Sequence, residues 1–225
     1  MGGFDVAFGI AALALVSSAL NPHFGADAAR VGGALAFGLG FVFVIVGKSE
    51  LFTENFLVPI AGLEPNRRSW LKLGELWLGT LVLNVVGGVL VAIVLTAEGV
   101  MPGTSGQLVA IADRIAGLST LSAFASGIVA GALMTLMTWF VEGAAPTSGV
   151  RIVMAWVVGF LVAVGSFNHA IVSTLELVFG LRYGADVGLG QLAGSLAVAV
   201  AGNLVGGLLL VTFTRVVQAA ALDGD

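Results

Sequence analysis

The chain has 225 residues, of which 58% are hydrophobic and only 10% are charged, and its formal net charge is −4. Its mean hydropathy of +1.08 is far above that of soluble domains, so the composition indicates an integral membrane protein. Without cysteine the chain has no disulfides and no thiolate metal sites, and with two histidines we expect neither a metal nor a cofactor. The basic residues are scattered, which argues against a nucleic-acid partner.

Six apolar segments follow one another along the chain. They lie at about 4–20, 31–62, 72–97, 119–141, 149–179 and 189–215, and about 20 apolar residues suffice to cross the hydrocarbon layer of a bilayer. The first segment lacks a basic leader and a small-residue cleavage site, so we expect a span and not a signal peptide. The sequence predicts one all-α membrane domain over residues 1–225, with six transmembrane helices.

The charges of the loops orient these spans. One side of the predicted bundle carries five basic residues, Arg67, Arg68, Lys72, Arg151 and Arg215, and the opposite side carries three, Arg30, Arg114 and Arg182. Because basic residues concentrate on the cytoplasmic side, we expect both termini to be cytoplasmic.

Spans two and five are about thirty residues long, and each has a polar cluster at its middle. The cluster in span two runs from Lys48 to Asn55, and the cluster in span five runs from Ser166 to Ser173. The repeated sequences "LNVVGG" and "GNLVGG", in spans three and six, are 119 positions apart, and the same offset pairs Glu50 with His169. Three spans in each half, about 1–103 and 104–225, predict an inverted repeat.

Broken helices at membrane depth imply a polar cavity. Unpaired backbone groups are tolerated there only where they are buried in protein or face water. A polar break at the same depth in each half therefore predicts a central pathway for a solute. A lone histidine in such a break, His169, is a functional candidate, since imidazole titrates near neutral pH.

The motifs resemble those of the formate/nitrite transporter family. "GKSELFTEN" is similar to the family's loop in the second helix, where an acidic residue precedes Leu-Phe-Thr, and "GSFNHAIVS" is similar to its loop in the fifth helix. Within the family the chain resembles a divergent branch related to the bacterial inner-membrane protein YfdC. The resemblance implies an aquaporin-like fold with broken second and fifth helices, a homopentamer in the lipid of the bacterial inner membrane, and passage of small monovalent anions or weak acids such as formate or nitrite.

The resemblance also implies roles for individual residues. His169 is expected at the centre of the pore, where it donates a proton or hydrogen bond to a weak-acid anion, and Arg151 is expected to attract anions. Residues expected along the pathway are His169, Thr53, Leu51, Phe52, Phe37, Phe41, Asn168, Ser173 and Arg151. Phe37 and Phe41 are candidates for the cytoplasmic constriction on their spacing alone, since they lie one helical turn apart before the loop of span two. Residues expected to support the loop or to set selectivity are Lys48, Glu50, Glu54 and Asn55. The Glu50 carboxylate is expected to accept backbone N–H groups of the broken loop, and a direct role in permeation is the alternative. Lys48 and Glu54 either pair with each other or extend to the membrane interface, or else they face the pore.

The chain departs from the family pattern at several of these positions. Asn168 stands where the family has glutamate, Ser173 where it has asparagine, and Glu54 where it usually has a small residue. A carboxylate near Thr53 repels anions, so two alternatives stay open: a pore that selects a cation or a small neutral solute, and a non-conducting structural pentamer. An intramembrane serine protease is disfavoured, since Ser166, His169 and Ser173 lie on one segment and the Gly-x-Ser-x-Gly motif is missing, so we expect no enzyme.

Overall fold

The computed structural model describes residues 1–61, 63–64, 66–144 and 147–222. Within these ranges the regular elements are all helical, which confirms the predicted all-α class. The α-helices are α1 (Gly2–Gly47), α2 (Val58–Ala61), α3 (Arg67–Leu95), α4 (Ser105–Ala116), α5 (Thr120–Thr138), α6 (Ser148–Val164), α7 (Ala170–Arg182), α8 (Leu189–Leu204) and α9 (Phe213–Leu222). A 3₁₀ helix covers Phe52–Phe56, and π-helical turns cover Trp139–Ala144 and Val205–Thr212.

Helix α1 is bent into two arms. Gly25 has φ 81° and ψ 175°, and Pro22 precedes it. A Cβ atom built on Gly9 would lie 3.1 Å from the Cα of Gly40, so the two arms pack against each other. A straight helix of 46 residues would instead separate these two glycines by about 45 Å. The arms occupy the first two predicted spans.

Four continuous helical segments are long and apolar enough to cross a membrane: Gly2–Gly47, Arg67–Leu95, Thr120–Gly143 and Leu189–Arg215. Helix α6 is apolar but shorter. Since Gly2–Gly47 holds two arms, and α7 follows α6 after a break, the described helices are compatible with six spans. The count of six stays a prediction.

Three helices begin at side chains that cap them. The side-chain oxygens of Asn66, Ser119 and Thr147 accept hydrogen bonds from the backbone N–H three residues later, at 2.9, 3.1 and 3.4 Å. Such caps satisfy N–H groups that have no partner inside the helix. These local signals start α3, α5 and α6 at the loops that the sequence indicates.

The two broken helices end in the same turn. Lys48, with φ 51°, and Ser166, with φ 52°, are the non-glycine residues of positive φ in the described part of the chain. In both turns the next amide closes onto the carbonyl five residues before it: Ser49 N–H donates to Val44 O at 2.9 Å, and Phe167 N–H donates to Val162 O at 3.0 Å. This left-handed turn satisfies the last carbonyls of each helix.

The separation of these matching turns corrects the sequence alignment. Lys48 and Ser166 are 118 positions apart, whereas "LNVVGG" and "GNLVGG" are 119 apart. The second half therefore has one more residue between its turn, at Ser166, and its asparagine, Asn203, than the first half has between Lys48 and Asn84. The residue that corresponds to His169 is Leu51, and the predicted pairing of Glu50 with His169 is wrong.

Helix α4 was missed in the sequence. It lies between the third and fourth predicted spans and packs against α7. Its buried residues, Leu108, Ile111, Ala112 and Ile115, recur at the spacing of one helical face. That periodicity was the signal available, and it places Arg114 on α4 beside the apolar face.

Candidate functional site

Two asparagines clamp the two breaks in the same way. Asn84 on α3 accepts a hydrogen bond from Phe52 N–H at 3.0 Å and donates one to Glu50 O at 2.9 Å. Asn203 on α8 accepts from Ala170 N–H at 2.9 Å and donates to Asn168 O at 3.0 Å. Each amide thus holds the backbone on both sides of one residue, Leu51 in the first half and His169 in the second.

This arrangement explains why an asparagine recurs at the same place in the two repeated sequences. Backbone N–H and C=O groups at membrane depth need protein partners. A side-chain amide carries both N–H donors and a carbonyl acceptor, so one amide can satisfy the C=O and the N–H on the two sides of a one-residue gap. Leu51 and His169 are fully buried as a result of this fixed backbone.

His169 is held by hydrogen bonds at both ring nitrogens. It caps α7: its Nδ1 accepts a hydrogen bond from Val172 N–H at 3.2 Å. Its Nε2 lies 2.8 Å from the hydroxyl oxygen of Thr53. Because Nδ1 accepts, the neutral ring carries its hydrogen on Nε2 and donates it to Thr53. The Thr53 hydroxyl hydrogen is then available to a third group.

Aromatic rings surround this pair. The Phe41 ring lies 6.1 Å from the His169 ring, and the Phe37 ring lies 5.4 Å from the Phe41 ring. Phe52, 3% exposed, packs edge-on against Phe56 at 5.0 Å. Thr53 and His169 are both fully buried, and Phe41 beside His169 belongs to an apolar core that also contains Phe37, Phe52 and Phe56.

A cavity of about 490 Å³ opens at one end of the bundle, and we call it the Arg151 vestibule. The charged and amide side chains that line it are Lys48, Glu50, Glu54, Asn55, Glu142 and Arg151. Five of these six residues are predicted site residues. Glu142 was missed, since it lies in a predicted loop.

Inside the Arg151 vestibule, Glu54 and not Glu50 supports the loop. The Glu54 carboxylate accepts a hydrogen bond from Leu51 N–H at 2.9 Å and so caps the 3₁₀ helix. Glu50 contributes its backbone carbonyl to the clamp, and its side chain is exposed. The prediction that the Glu50 carboxylate accepts the loop amides is therefore wrong. Within the described ranges, Lys48 forms no ion pair with Glu54, and its side chain is exposed.

Two further side chains complete the loop. Trp77 Nε1 donates to Asn55 O at 2.9 Å, and the Thr212 hydroxyl donates to Phe56 O at 2.7 Å. The side-chain amide of Asn55 donates weakly to Leu51 O at 3.4 Å. No local sequence pattern indicates that Trp77 and Thr212 reach this loop, because the contacts join distant segments.

A second cavity, of about 220 Å³, lies toward the other end of the bundle, and we call it the Arg114 vestibule. Its polar lining residues are Ser17, Asn21, Arg30, Gln107, Arg114, Ser166 and Glu176. Helix α6 contributes Arg151 to the first vestibule and Ala163 to the second. Twelve helical residues separate these two, or about 18 Å along the axis.

The direction of α1 bears on the predicted constriction. Its second arm starts at the Arg114 vestibule, which Ala29 lines, and ends at the Arg151 vestibule, which Val44 lines. Phe37 is therefore one turn nearer the Arg114 vestibule than Phe41. The two rings lie at successive depths, which argues against one shared constriction on the Arg151 side.

Asn168 and Ser173 flank the buried histidine. Asn168 Nδ2 donates to Ala123 O at 3.0 Å, its backbone N–H donates to Ser126 Oγ at 3.0 Å, and its Oδ1 is buried without a partner among the described residues. Ser173, one turn after His169, is 3% exposed. Asn168 thus ties the break to α5, and its predicted role in the pathway stays a prediction, as does that of Ser173.

Comparisons with known sequences cover nearly the whole chain. The family model described as "Formate/nitrite transporter" matches residues 1–217. The chain is similar to the "Formate channel FocA" of Escherichia coli strain K12, with 24% identity over 209 residues, which is 83% of this chain and 73% of that protein. It is also similar to the "Inner membrane protein YfdC" of the same strain, with 27% identity over 184 residues, which is 78% of this chain and 57% of that protein.

Solved structures share the fold. The "Pentameric formate channel with formate bound" matches with a TM-score of 0.79 at 19% identity, covering 97% of this chain and 94% of that one. The structure described as "FNT family ion channel" matches with a TM-score of 0.77 at 20% identity, covering 96% and 86%. The described helices therefore have the fold of these two solved structures.

Proposed function

The chain belongs to the formate/nitrite transporter family, and we propose that it passes small monovalent anions, or their neutral acids, across a membrane. A formate channel among the curated relatives and another among the solved structures support formate as a first test substrate. The observation that carries the proposal is the buried pair of Thr53 and His169 between two polar vestibules at opposite ends of the bundle. Transport, not catalysis, is the activity that this arrangement favours.

The apolar enclosure of that pair sets the physical problem of transport. A small anion surrounded by Phe41, Phe52 and Leu51 loses its hydration, and an unpaired charge in such a site costs many kcal/mol. Neutralising the anion removes most of this cost. Passage as the neutral acid, or with the charge offset by hydrogen bonds, is the solution that we propose for this chain.

Thr53 is the group that meets the permeant species. His169 Nε2–H donates to its hydroxyl oxygen, which leaves the hydroxyl hydrogen to donate to an anion or acid oxygen. Since Nδ1 of His169 is used by the α7 cap, we assign His169 the role of orienting and polarising Thr53. The predicted proton donation by His169 itself would require one ring nitrogen to give up its hydrogen bond, because Nδ1 and Nε2 both have partners.

The surroundings in the cell are also part of the proposal. We propose a homopentamer in a bacterial inner membrane with both termini in the cytoplasm. Met1 lines a cavity together with Lys48, and Arg215 stacks on Trp139 at 5.2 Å, close in sequence to Glu142 of the Arg151 vestibule. These contacts support termini on the Arg151 side, which the positive-inside rule favours as cytoplasmic.

The test of this function is uptake of labelled formate into proteoliposomes. Wild type should take up formate and lose uptake when excess nitrite competes. Thr53→Val keeps the shape of the side chain and removes the hydroxyl, so it should slow uptake strongly. Uptake by wild type no faster than by empty vesicles would refute anion transport and favour a structural pentamer.

A second candidate function is passage of a cation or a small neutral solute. Three carboxylates, Glu50, Glu54 and Glu142, line the Arg151 vestibule with two basic residues, Lys48 and Arg151. Glu54→Gln separates the two functions, because a glutamine oxygen can still accept from Leu51 N–H while the charge is lost. Anion currents that rise support anion transport, whereas cation currents in the wild type that vanish in this variant support the second candidate.

A further inference from the structure

Glu176 is a buried carboxyl group that the proposed function has not used. It lies on α7, two turns beyond His169, and is 8% exposed. It lines the Arg114 vestibule, and within the described ranges its side chain forms no hydrogen bond and no ion pair. The Glu176 side chain is thus largely buried in the protein, and it is exposed to this cavity and not to a fixed hydrogen-bond partner among the described residues.

The groups around Glu176 are cationic. Arg114 on α4 and Arg30 on α1 line the same cavity, and Arg30 Nη1 also donates to Val164 O at 3.1 Å. The other helices packed against α7 are α3, whose charged residues all lie in its first three turns, and α8, which has none. The remaining charged or titratable residues on α1 and α4 are Asp5, His23, Asp27 and Asp113, which are not among the cavity-lining residues.

The cavity fits a small hydrated oxyanion. Its volume of about 220 Å³ corresponds to about seven water molecules. The guanidinium groups of Arg114 and Arg30 suit a planar carboxylate. An anion in this vestibule shares a small space with the Glu176 carboxyl. From here the anion must lose its charge before it enters the apolar part of the pathway around Thr53 and His169.

We propose that Glu176 is the proton-exchange group of the Arg114 vestibule, where its carboxyl gives a proton to a small oxyanion attracted by Arg114 and Arg30. The O–H bond of Glu176 breaks, an O–H bond forms on the oxyanion, and the neutral acid moves on toward Thr53. The glutamate charge that remains is offset by the two arginines, and Glu176 then takes up a proton from the bulk solution, relayed by water in the vestibule. In the opposite direction the same steps run in reverse.

This inference rests on the proposed anion transport and supplies its proton. His169 has both ring nitrogens in hydrogen bonds, so a proton for the acid must come from another group or from bulk water. Glu176 is the titratable side chain on the same helix that lines a vestibule. General-acid groups that are positioned in this way typically contribute a factor of about 10² or more.

The test measures how formate-driven acidification of proteoliposomes depends on pH. A lumenal pH dye and labelled formate are followed together, at equal pH on both sides, for wild type, Glu176→Gln and Glu176→Asp. While Glu176 carries its proton, the wild-type rate should follow the anion concentration and change little with pH. Glu176→Gln should instead follow the neutral acid and fall about tenfold per pH unit between about pH 5 and pH 7. Glu176→Asp should keep the wild-type profile.

Two control variants define the comparison. Glu98→Gln removes an exposed carboxylate that is not among the residues lining the vestibule, and it should match wild type. Arg114→Gln should raise the formate concentration for half-maximal rate, because it removes one of the two cations that attract the oxyanion. Chromatographic size of each purified variant checks assembly.

The outcomes separate this inference from the function on which it rests. Glu176→Gln with the wild-type pH profile would overturn it, because bulk water would then be the proton source. Equal slowing of Glu176→Gln and Glu176→Asp at every pH would overturn it in favour of a packing role. Labelled formate that enters wild type without acidification would retain the transport function and refute proton exchange, whereas no formate uptake would refute both.

Discussion

Replacing Asn203 by alanine should destabilise the second break more than any exposed change on the same helix. The Asn203 amide, fully buried, makes three hydrogen bonds: to Ala170 N–H, to Asn168 O and to Gly127 O at 2.9 Å. Ala170 N–H and Asn168 O lie in the broken segment, and in the alanine variant both are left without a hydrogen bond at membrane depth. Each buried group left unsatisfied costs about 1–3 kcal/mol, so we expect a loss of about 2–6 kcal/mol in the free energy of unfolding.

Thermal unfolding of the detergent-solubilised protein measures this loss. For a chain of this size 1 kcal/mol corresponds to about 2–4 °C, so the midpoint should fall by about 4–24 °C. Gln191→Ala is the matched control on α8, since its side chain donates to Ala116 O at the exposed surface, and it should change stability by less than about 0.5 kcal/mol. Equal midpoints for the two variants would refute the clamp.

Three further variants probe the site and its supports. Thr53→Val should slow formate uptake by about 5- to 150-fold, because it removes the hydroxyl and leaves His169 Nε2–H without its acceptor, a loss of about 1–3 kcal/mol; uptake at the wild-type rate would contradict the assigned contact. Trp77→Phe should lower unfolding free energy by about 1 kcal/mol, since the bond to Asn55 O is lost while an aromatic ring is kept, as thermal unfolding will show. Ser166→Gly should raise the unfolding midpoint, because glycine adopts a φ of 52° without the steric penalty of serine; a lower midpoint would argue against this left-handed turn.

The fold was largely readable from the sequence because its signals are periodic and local. Long apolar segments predicted the helices, and polar clusters in the second and fifth predicted spans located both breaks. Helix α4 was missed because it is amphipathic and too short to span a membrane, so hydropathy alone does not mark it. The sequence predicts two separate spans at about 4–20 and 31–62, whereas helix α1 runs through both of them with a bend at Gly25.

The sequence identified most residues of the site but not the contacts between them. The motif around His169 and Thr53 identified two residues that touch, but their 2.8 Å contact joins positions 116 residues apart and depends on the whole fold. Glu50 was chosen over Glu54 as the loop support because sequence spacing does not reveal which carboxylate points back to an amide. The register shift of one residue between the halves escaped detection because the break and its asparagine lie on different helices.

The most direct test of anion transport is a current recording on a solid-supported membrane with reconstituted wild type and His169→Ala. Concentration jumps of formate, nitrite, chloride, sodium and potassium are applied in turn. The account predicts currents for formate or nitrite that are lost in His169→Ala, because Thr53 then lacks the ring that orients it. Currents only for cations, no current for any ion, or formate currents unchanged in His169→Ala would contradict it.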